Sequence, residues 1–210
     1  LPQATFQAFG EPGKTLGGRW SMDGGLLVTT RDNGTKSLSQ QGPDTRRLSL
    51  SGGWQRRLIS DTGLTATISG LVRSDNYSAD NVIKTNADGT TSVYNDVLLS
   101  REFAQGNATV SYPMGRRGDG YQQIVEPIVA VTAAPNIKIS NRQPIEDSLD
   151  VEYDETNLFS SNRFTGTDLI EGGSRVTYGL RQALTADNGM HLETFGGSSY
   201  SLQRNNDFPN

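Results

Sequence analysis

Residues 145–180 read IEDSLDVEYDETNLFSSNRFTGTDLIEGGSRVTYGL, and the second half of this stretch decides the fold. After Gly172 and Gly173 every second residue is apolar: Val176, Tyr178 and Leu180, with Ile170 on the same parity, alternate with Glu171, Arg175, Thr177 and Arg181. A side-chain period of two is that of a strand. One face of this strand is apolar and the other charged. A soluble sheet covers its apolar face with a second layer, whereas a membrane barrel turns it to lipid and keeps the polar face for a wet lumen.

The same alternation recurs upstream. In 46–60, Leu48, Leu50, Trp54 and Leu58 share one face, while Arg47, Ser49, Ser51, Gln55 and Arg57 share the other. In 64–73, Leu64, Ala66, Ile68, Gly70 and Val72 oppose Thr65, Thr67, Ser69 and Arg73. Further strands are expected over 4–10, 15–30, 96–112, 121–134, 169–184 and 190–202, with turns at 11–14, 60–63, 113–120 and 185–189. Long loops are expected at about 31–45, 75–95 and 135–168, so short and long connections alternate along the chain as in outer-membrane barrels. The expected fold is all-β, an antiparallel up-and-down meander of about eight long strands forming one segment, 1–210, of a large transmembrane β-barrel. Leu48, Leu50, Trp54, Val176, Tyr178 and Leu180 are the expected lipid-facing residues. Trp20, Trp54, Tyr112 and Tyr200 suit interfacial girdles as well as ordinary lipid-face packing.

Composition agrees with a barrel wall. Only 33% of the 210 residues are hydrophobic and 8% aromatic, and the mean hydropathy is −0.53. That is lean for a soluble core but ordinary for a wall whose lipid face uses alternate residues. No run approaches the roughly 18–20 apolar residues of a membrane helix. The net charge of −4 argues against nucleic acid as the main partner. With no cysteine, this stretch holds no disulfide, thiolate metal site or cysteine nucleophile. Neither the lone His191 nor any segment matches a catalytic motif, so neither enzymatic activity nor a cofactor is expected. The chain opens on Leu1 and is expected to be a piece of a longer or processed protein.

The loop before the decisive strand mixes residue types unusual for a solvated segment. Asn157, Leu158, Phe159, Arg163, Phe164, Gly166 and Asp168, followed by Glu171, Gly172, Gly173 and Arg175, are the expected lumen-facing or plug-contacting set. The aromatics are expected to pack and Arg163 to pair with Asp168 or Glu171. The acidic run Glu146, Asp147, Asp150, Glu152, Asp154 and Glu155 is expected to be solvated, since it lacks the glycine and ligand spacing of a calcium loop.

Several local sequences resemble those of a known family. They are Glu126-Pro127-Ile128 with Ala133-Ala134-Pro135-Asn136, then Glu146-Asp147-Ser148, Asp154-Glu155-Thr156-Asn157-Leu158-Phe159-Ser160, Asn162-Arg163-Phe164 with Gly166 and Asp168, Glu171-Gly172-Gly173 and Tyr178-Gly179-Leu180, and more weakly Leu48 to Ile59 with its Trp54-Gln55-Arg56-Arg57. Together they resemble the C-terminal barrel domain of the LptD family, lipopolysaccharide-assembly proteins of the Gram-negative outer membrane, in the alphaproteobacterial form. Leu169 departs from the family, which usually has arginine there, and any ion pair of that arginine is in doubt. The resemblance implies a section of a barrel of about 26 strands in the cell outer membrane. Such a barrel takes lipopolysaccharide from a periplasmic bridge protein, through parts outside this chain, and releases it to the outer leaflet. It also implies an LptE-like lipoprotein plugging the lumen. Another outer-membrane barrel (a pore, a small barrel or a barrel enzyme) and a soluble β-rich binding module are the alternatives that the residue pattern leaves open.

Overall fold

The computed structural model describes residues 2–203 except 33, 35, 37–40, 87 and 149–156. Its regular elements are all strands: β1 (Gln3–Gly10), β2 (Arg19–Thr29), β3 (Asp44–Ile59), β4 (Thr65–Asp80), β5 (Val82–Thr85), β6 (Thr91–Tyr94), β7 (Val97–Ser111), β8 (Met114–Gly118), β9 (Tyr121–Ala133), β10 (Arg175–Ala186) and β11 (His191–Ser201). They pair antiparallel in the order β1-β2-β3-β4-β7-β9-β10-β11, with β8 on β9 and β5 on β6 in a separate hairpin. The main path is therefore an up-and-down meander of eight strands.

Two departures from the sequence-based expectation have simple causes. Segment 113–120, expected as a turn, contains β8. Ser111 pairs with Ile128 and Met114 with Val125, so β8 keeps the register of β7 and continues it. Pro113 and Pro127 lack the amide hydrogen of a ladder, which divides one long strand in two. The loop expected over 75–95 is mostly strand. β4 runs on to Asp80 and pairs with β7 up to Ala79–Val97, and the β5–β6 hairpin fills the remainder. A small apolar cluster of Ala79, Val82 and Val97, with Tyr94 and Leu99 against it, holds that hairpin to the sheet.

The burial pattern is the reverse of a soluble domain. The largest fully buried side chains are Glu171, Thr45, Asp75 and Asp168. Meanwhile Val72 is 60% exposed, Leu50 55%, Tyr178 54% and Leu180 47%. Cross-strand partners share a face, so the register assembles the exposed residues into one apolar surface: Leu26 lies beside Leu48, Ala108 beside Val131, and Val131 beside Val176. On β4 this surface runs through Ala66, Ile68, Gly70 and Val72. It then gives way to Ser74, whose hydroxyl donates to Glu102 at 2.7 Å across the ladder. Trp20 and Trp54 pair on the apolar face where β2 begins, and Trp54 Nε1 donates to the Gly17 carbonyl of the adjoining turn at 3.0 Å.

The strand expected from 169 starts only at Arg175. Residues 169–174 belong to the long 134–174 connection, and Ile170, expected on the apolar strand face, is 2% exposed beneath that loop. Gly173, at φ +79°, ends any strand extension toward the N-terminus.

Candidate functional site

The chain's own 134–148 and 157–174 segments lie on the polar face of the sheet, and arginines of the wall hold them there. Alternation puts Arg47, Asp75, Tyr77 and Arg101 on this face, and the register pairs Arg47 with Tyr77 and Asp75 with Arg101. Arg47 reaches two loop carboxylates, Asp168 at 2.5 Å and Asp147 at 2.8 Å. Asp168 is saturated with donors: Arg47 and the Tyr77 hydroxyl at Oδ1, and the amides of Glu146 and Asp147 at Oδ2. Asp147 returns the contact by accepting from the amides of Thr167 and Asp168. The two loop ends are thus braced across each other. Gly166 makes this possible, because at φ +73° a Cβ there would stand 2.1 Å from the Asp147 carbonyl oxygen.

A second ring of contacts supports the first. Asp75 accepts from Arg73 at 3.0 Å and from Arg101 at 2.6 Å. The same two guanidiniums donate onward to loop carbonyls, Arg73 to Thr167 at 2.7 Å and Arg101 to Asp168 at 2.6 Å. Gln143 Nε2 also donates to the Asp168 carbonyl, at 2.9 Å. Three arginines (47, 73, 101) therefore meet three carboxylates (75, 147, 168), so the cluster buries no net charge. Pairing of this completeness is what makes buried ions tolerable.

Farther along the loop, Arg163 pairs with both oxygens of Glu171 through Nε and Nη2, and Arg175 approaches Glu171 at 3.2 Å. Arg175 also donates to the carbonyls of Ser160 and Ser161, and Gln105 donates to Ser161 at 2.9 Å. Leu158 and Phe159 fit over glycines of the wall. A Cβ on Gly197 would lie 2.7 Å from Leu158, and one on Gly179 would lie 2.9 Å from Phe159. Phe195 meets Phe159 edge to face, with ring centroids 6.1 Å apart.

At the loop's N-terminal side, Arg31 holds Glu146 at 2.5 Å and Thr45 donates to the same carboxylate at 2.9 Å. Burial raises the Glu146 pKa, but hydrogen bonds from Arg31 and Thr45 outweigh it and hold the group below the usual carboxylate range. Asp147 behaves alike: burial opposes ionisation, while Arg47 and the amides of Thr167 and Asp168 bring it well below that range.

The structure gathers most of the sequence-selected residues into this docked loop. Leu158, Arg163, Phe164, Asp168, Glu171, Gly172 and Arg175 are buried. The Asn157 carbonyl accepts from Ser160, and the Gly173 amide donates to Pro135. Of the two carboxylates expected for Arg163, Glu171 is the partner and Asp168 belongs to Arg47. Leu169, where the family usually has arginine, is buried, with its amide donating to Ser148. Glu146 and Asp147, read as solvated, are instead bound to arginines of the wall side; Asp150, Glu152, Asp154 and Glu155 lie outside the described residues. Leu48, Leu50, Tyr178 and Leu180 are exposed on the apolar face, and Trp54 and Val176 are half-buried on it. Arg47, Arg73, Asp75, Tyr77, Arg101 and Gln143 were not among the selected residues. For Arg47, Arg73 and Arg101 the sequence signal is charge on the polar parity of adjacent strands; Asp75, Tyr77 and Gln143 fall in expected loops and carry none.

A family model described as LPS transport system D, LptD, matches residues 1–210. The LPS-assembly protein LptD of Pseudomonas putida (strain GB-1) is 32% identical over 84 residues, which is 40% of this chain and 9% of that protein. The chain thus spans a small share of the length of the curated relative it matches. With the model matched from end to end and an antiparallel meander beneath it, the chain belongs to the LptD family.

Proposed function

We propose that this chain is a section of barrel wall in an outer-membrane lipopolysaccharide transporter, with the apolar face against lipid and the polar face against the lumen. The observation that carries this reading is the side on which the loop lies. A soluble β module covers its apolar face; here residues 134–148 and 157–174 lie on the polar one and leave Leu50, Val72, Tyr178 and Leu180 bare. Strand length supports it, since β3 and β4 have 16 residues each, beyond the roughly 9–11 that cross a bilayer. On β4 the outer face changes from Val72 to Ser74, which bonds Glu102 of β7, before the strand ends. The LptD family match and the relative's name, LPS-assembly protein, support lipopolysaccharide as the cargo, and the bare apolar face supports a membrane location. The work is transport, with the polar lumen solvating sugars while acyl chains meet lipid along the wall.

In this reading Asn157, Leu158, Phe159, Arg163, Phe164, Gly166, Asp168, Glu171, Gly172, Gly173 and Arg175 form a lumenal lining that narrows the pore. Whatever lipoprotein plug of the LptE kind enters the barrel meets the outer surface of that lining. A periplasmic bridge protein engages parts of the protein beyond this chain.

The test is quenching of fluorophores at positions 175 to 181 in the full-length protein in bilayers. Lipid-soluble quenchers should reach 176, 178 and 180, with 175 and 177 shielded from them. If 176, 178 and 180 are shielded from lipid-soluble and water-soluble quenchers alike, the apolar face is an internal core and the transport reading fails. With that pattern in place, depletion of the full-length protein should lower lipopolysaccharide at the cell surface.

A further inference from the structure

Two cavities lie side by side on the polar face along the edge of the docked loop. The first, of about 380 Å³, is bordered by Phe9, Arg19, Gln55, Ser69 and Gln105, with Ser161 of the loop. The second, of about 360 Å³, is bordered by Thr5, Ser51, Arg47 and Arg73, with Thr167 of the loop and with Asp23, whose carboxylate accepts from Gln7 at 2.9 Å. Gln7 borders both, so they form consecutive stations along β1–β4. Each is at the small end of the range for ligand sites.

Their chemistry is specific. The polar part of the first lining is mostly amides and hydroxyls, which meet groups that both donate and accept hydrogen bonds. Three aromatics also border it, Phe9, Trp20 and Trp54, and the Arg19 guanidinium lies 4.2 Å from the Phe9 ring centroid. Among the described residues Arg19 has no carboxylate partner, unlike Arg47, Arg73 and Arg101. Hydrogen-bonding capacity is also left over at buried positions: among the described residues, Gln105 Oε1 and Arg47 Nε have no partner, although these residues are only 6% and 5% exposed. A lining of neutral donors and acceptors with an aromatic face suits a sugar ring, whose hydroxyls do both and whose C–H face is apolar. The unpaired Arg19 suits a carboxylate or phosphate on that ring, which a guanidinium grips with two parallel hydrogen bonds.

We propose that the paired cavities form a binding cleft for an anionic saccharide, an inference that rests on the polar face being lumenal. The cleft gives a passing sugar chain a resting place beside the loop edge, with Arg19 selecting for negative charge.

The test uses the full-length protein in bilayers with Ser69→Cys as its only reactive thiol, and reads the rate of labelling by a water-soluble maleimide. Glucose 6-phosphate should slow labelling, glucose should need about tenfold more to match it, and inorganic phosphate alone should have little effect. Arg19→Gln should erase the advantage of the phosphorylated sugar, and Gln55→Leu should weaken protection by both sugars. Equal protection by inorganic phosphate, or none by either sugar at a thiol that the maleimide labels freely, overturns the cleft and leaves the lumenal reading standing. A thiol at 69 that resists maleimide but is reached by lipid-soluble quenchers overturns the lumenal reading itself, and the cleft with it.

Discussion

Arg47 on β3 and Asp168 near the end of the 134–174 loop are 121 positions apart in sequence and 2.5 Å apart in space, both withdrawn from solvent. Neither is independent of the other. Without Asp168 the guanidinium keeps only Asp147, and the amides of Glu146 and Asp147 lose their acceptor.

Asp168→Ala is therefore expected to release the loop, since removing one member of a buried pair typically costs about 3–5 kcal/mol. Limited proteolysis of the assembled full-length protein checks this. The parent should resist cleavage within 157–168 and the variant should be cut there; equal resistance would show that the other contacts suffice.

The glycine seats give a steric test with an internal control. Gly197→Val places a side chain where Leu158 now sits and should cost about 1–3 kcal/mol, the usual penalty for overpacking. Gly196→Ala, next to it, points into open space and should be neutral. Thermal unfolding of the two variants should separate them; matching curves would mean that Leu158 is not seated on this glycine.

Acid should loosen the loop. Glu146 and Asp147 have folded pKa values below their unfolded ones, so the stability they contribute is present in full above the ordinary carboxylate pKa of about 4 and disappears as pH falls through the folded values. Spin-label distances between the loop and β3 should be constant at neutral pH and broaden below about pH 4. In Asp147→Asn the broadening should already be present at neutral pH. A distance distribution that does not change down to the acid limit would contradict the assignment.

On the apolar face, Leu180→Arg should impair assembly by about 2–4 kcal/mol if position 180 sits near the bilayer midplane, and by less toward the interface. Gln55→Arg, on the polar face, should be tolerated. Comparing the folded fractions of the two variants in bilayers checks the polarity of the wall.

Local periodicity made much of this fold legible and long-range pairing concealed the rest. Leu48, Leu50 and Leu58 announce their face because a strand repeats every two residues. Arg163 and Glu171 are eight positions apart, near enough for an ion pair to be anticipated. Asp168 was harder, because its partner is chosen by the register of β3 against β4 and by the path of the loop. Ile170 continues the parity of Val176, yet Glu171 is drawn to Arg163 and Gly173 turns the chain, so tertiary contacts set the strand's start. Pro113 reads as a turn residue, and only the ladder to β9 reveals that the strand resumes beyond it.

The arginine clamp also fixes an order of events during assembly. Its members come from β3, β4, β7 and the loop, so no local segment can form it. The three strands must already be in register before Asp147 and Asp168 find their partners. Loop docking is thus a late step that adds little to the rate of folding and much to the barrier against unfolding. Until it occurs, the wall presents Arg73 and Arg101 with Asp75 as their shared counter-ion, and Arg47 without the two loop carboxylates that pair with it. A section of wall whose strands are mispaired by two residues would keep its apolar alternation but displace these arginines. It would fail at the docking step, which makes the clamp a check on strand register.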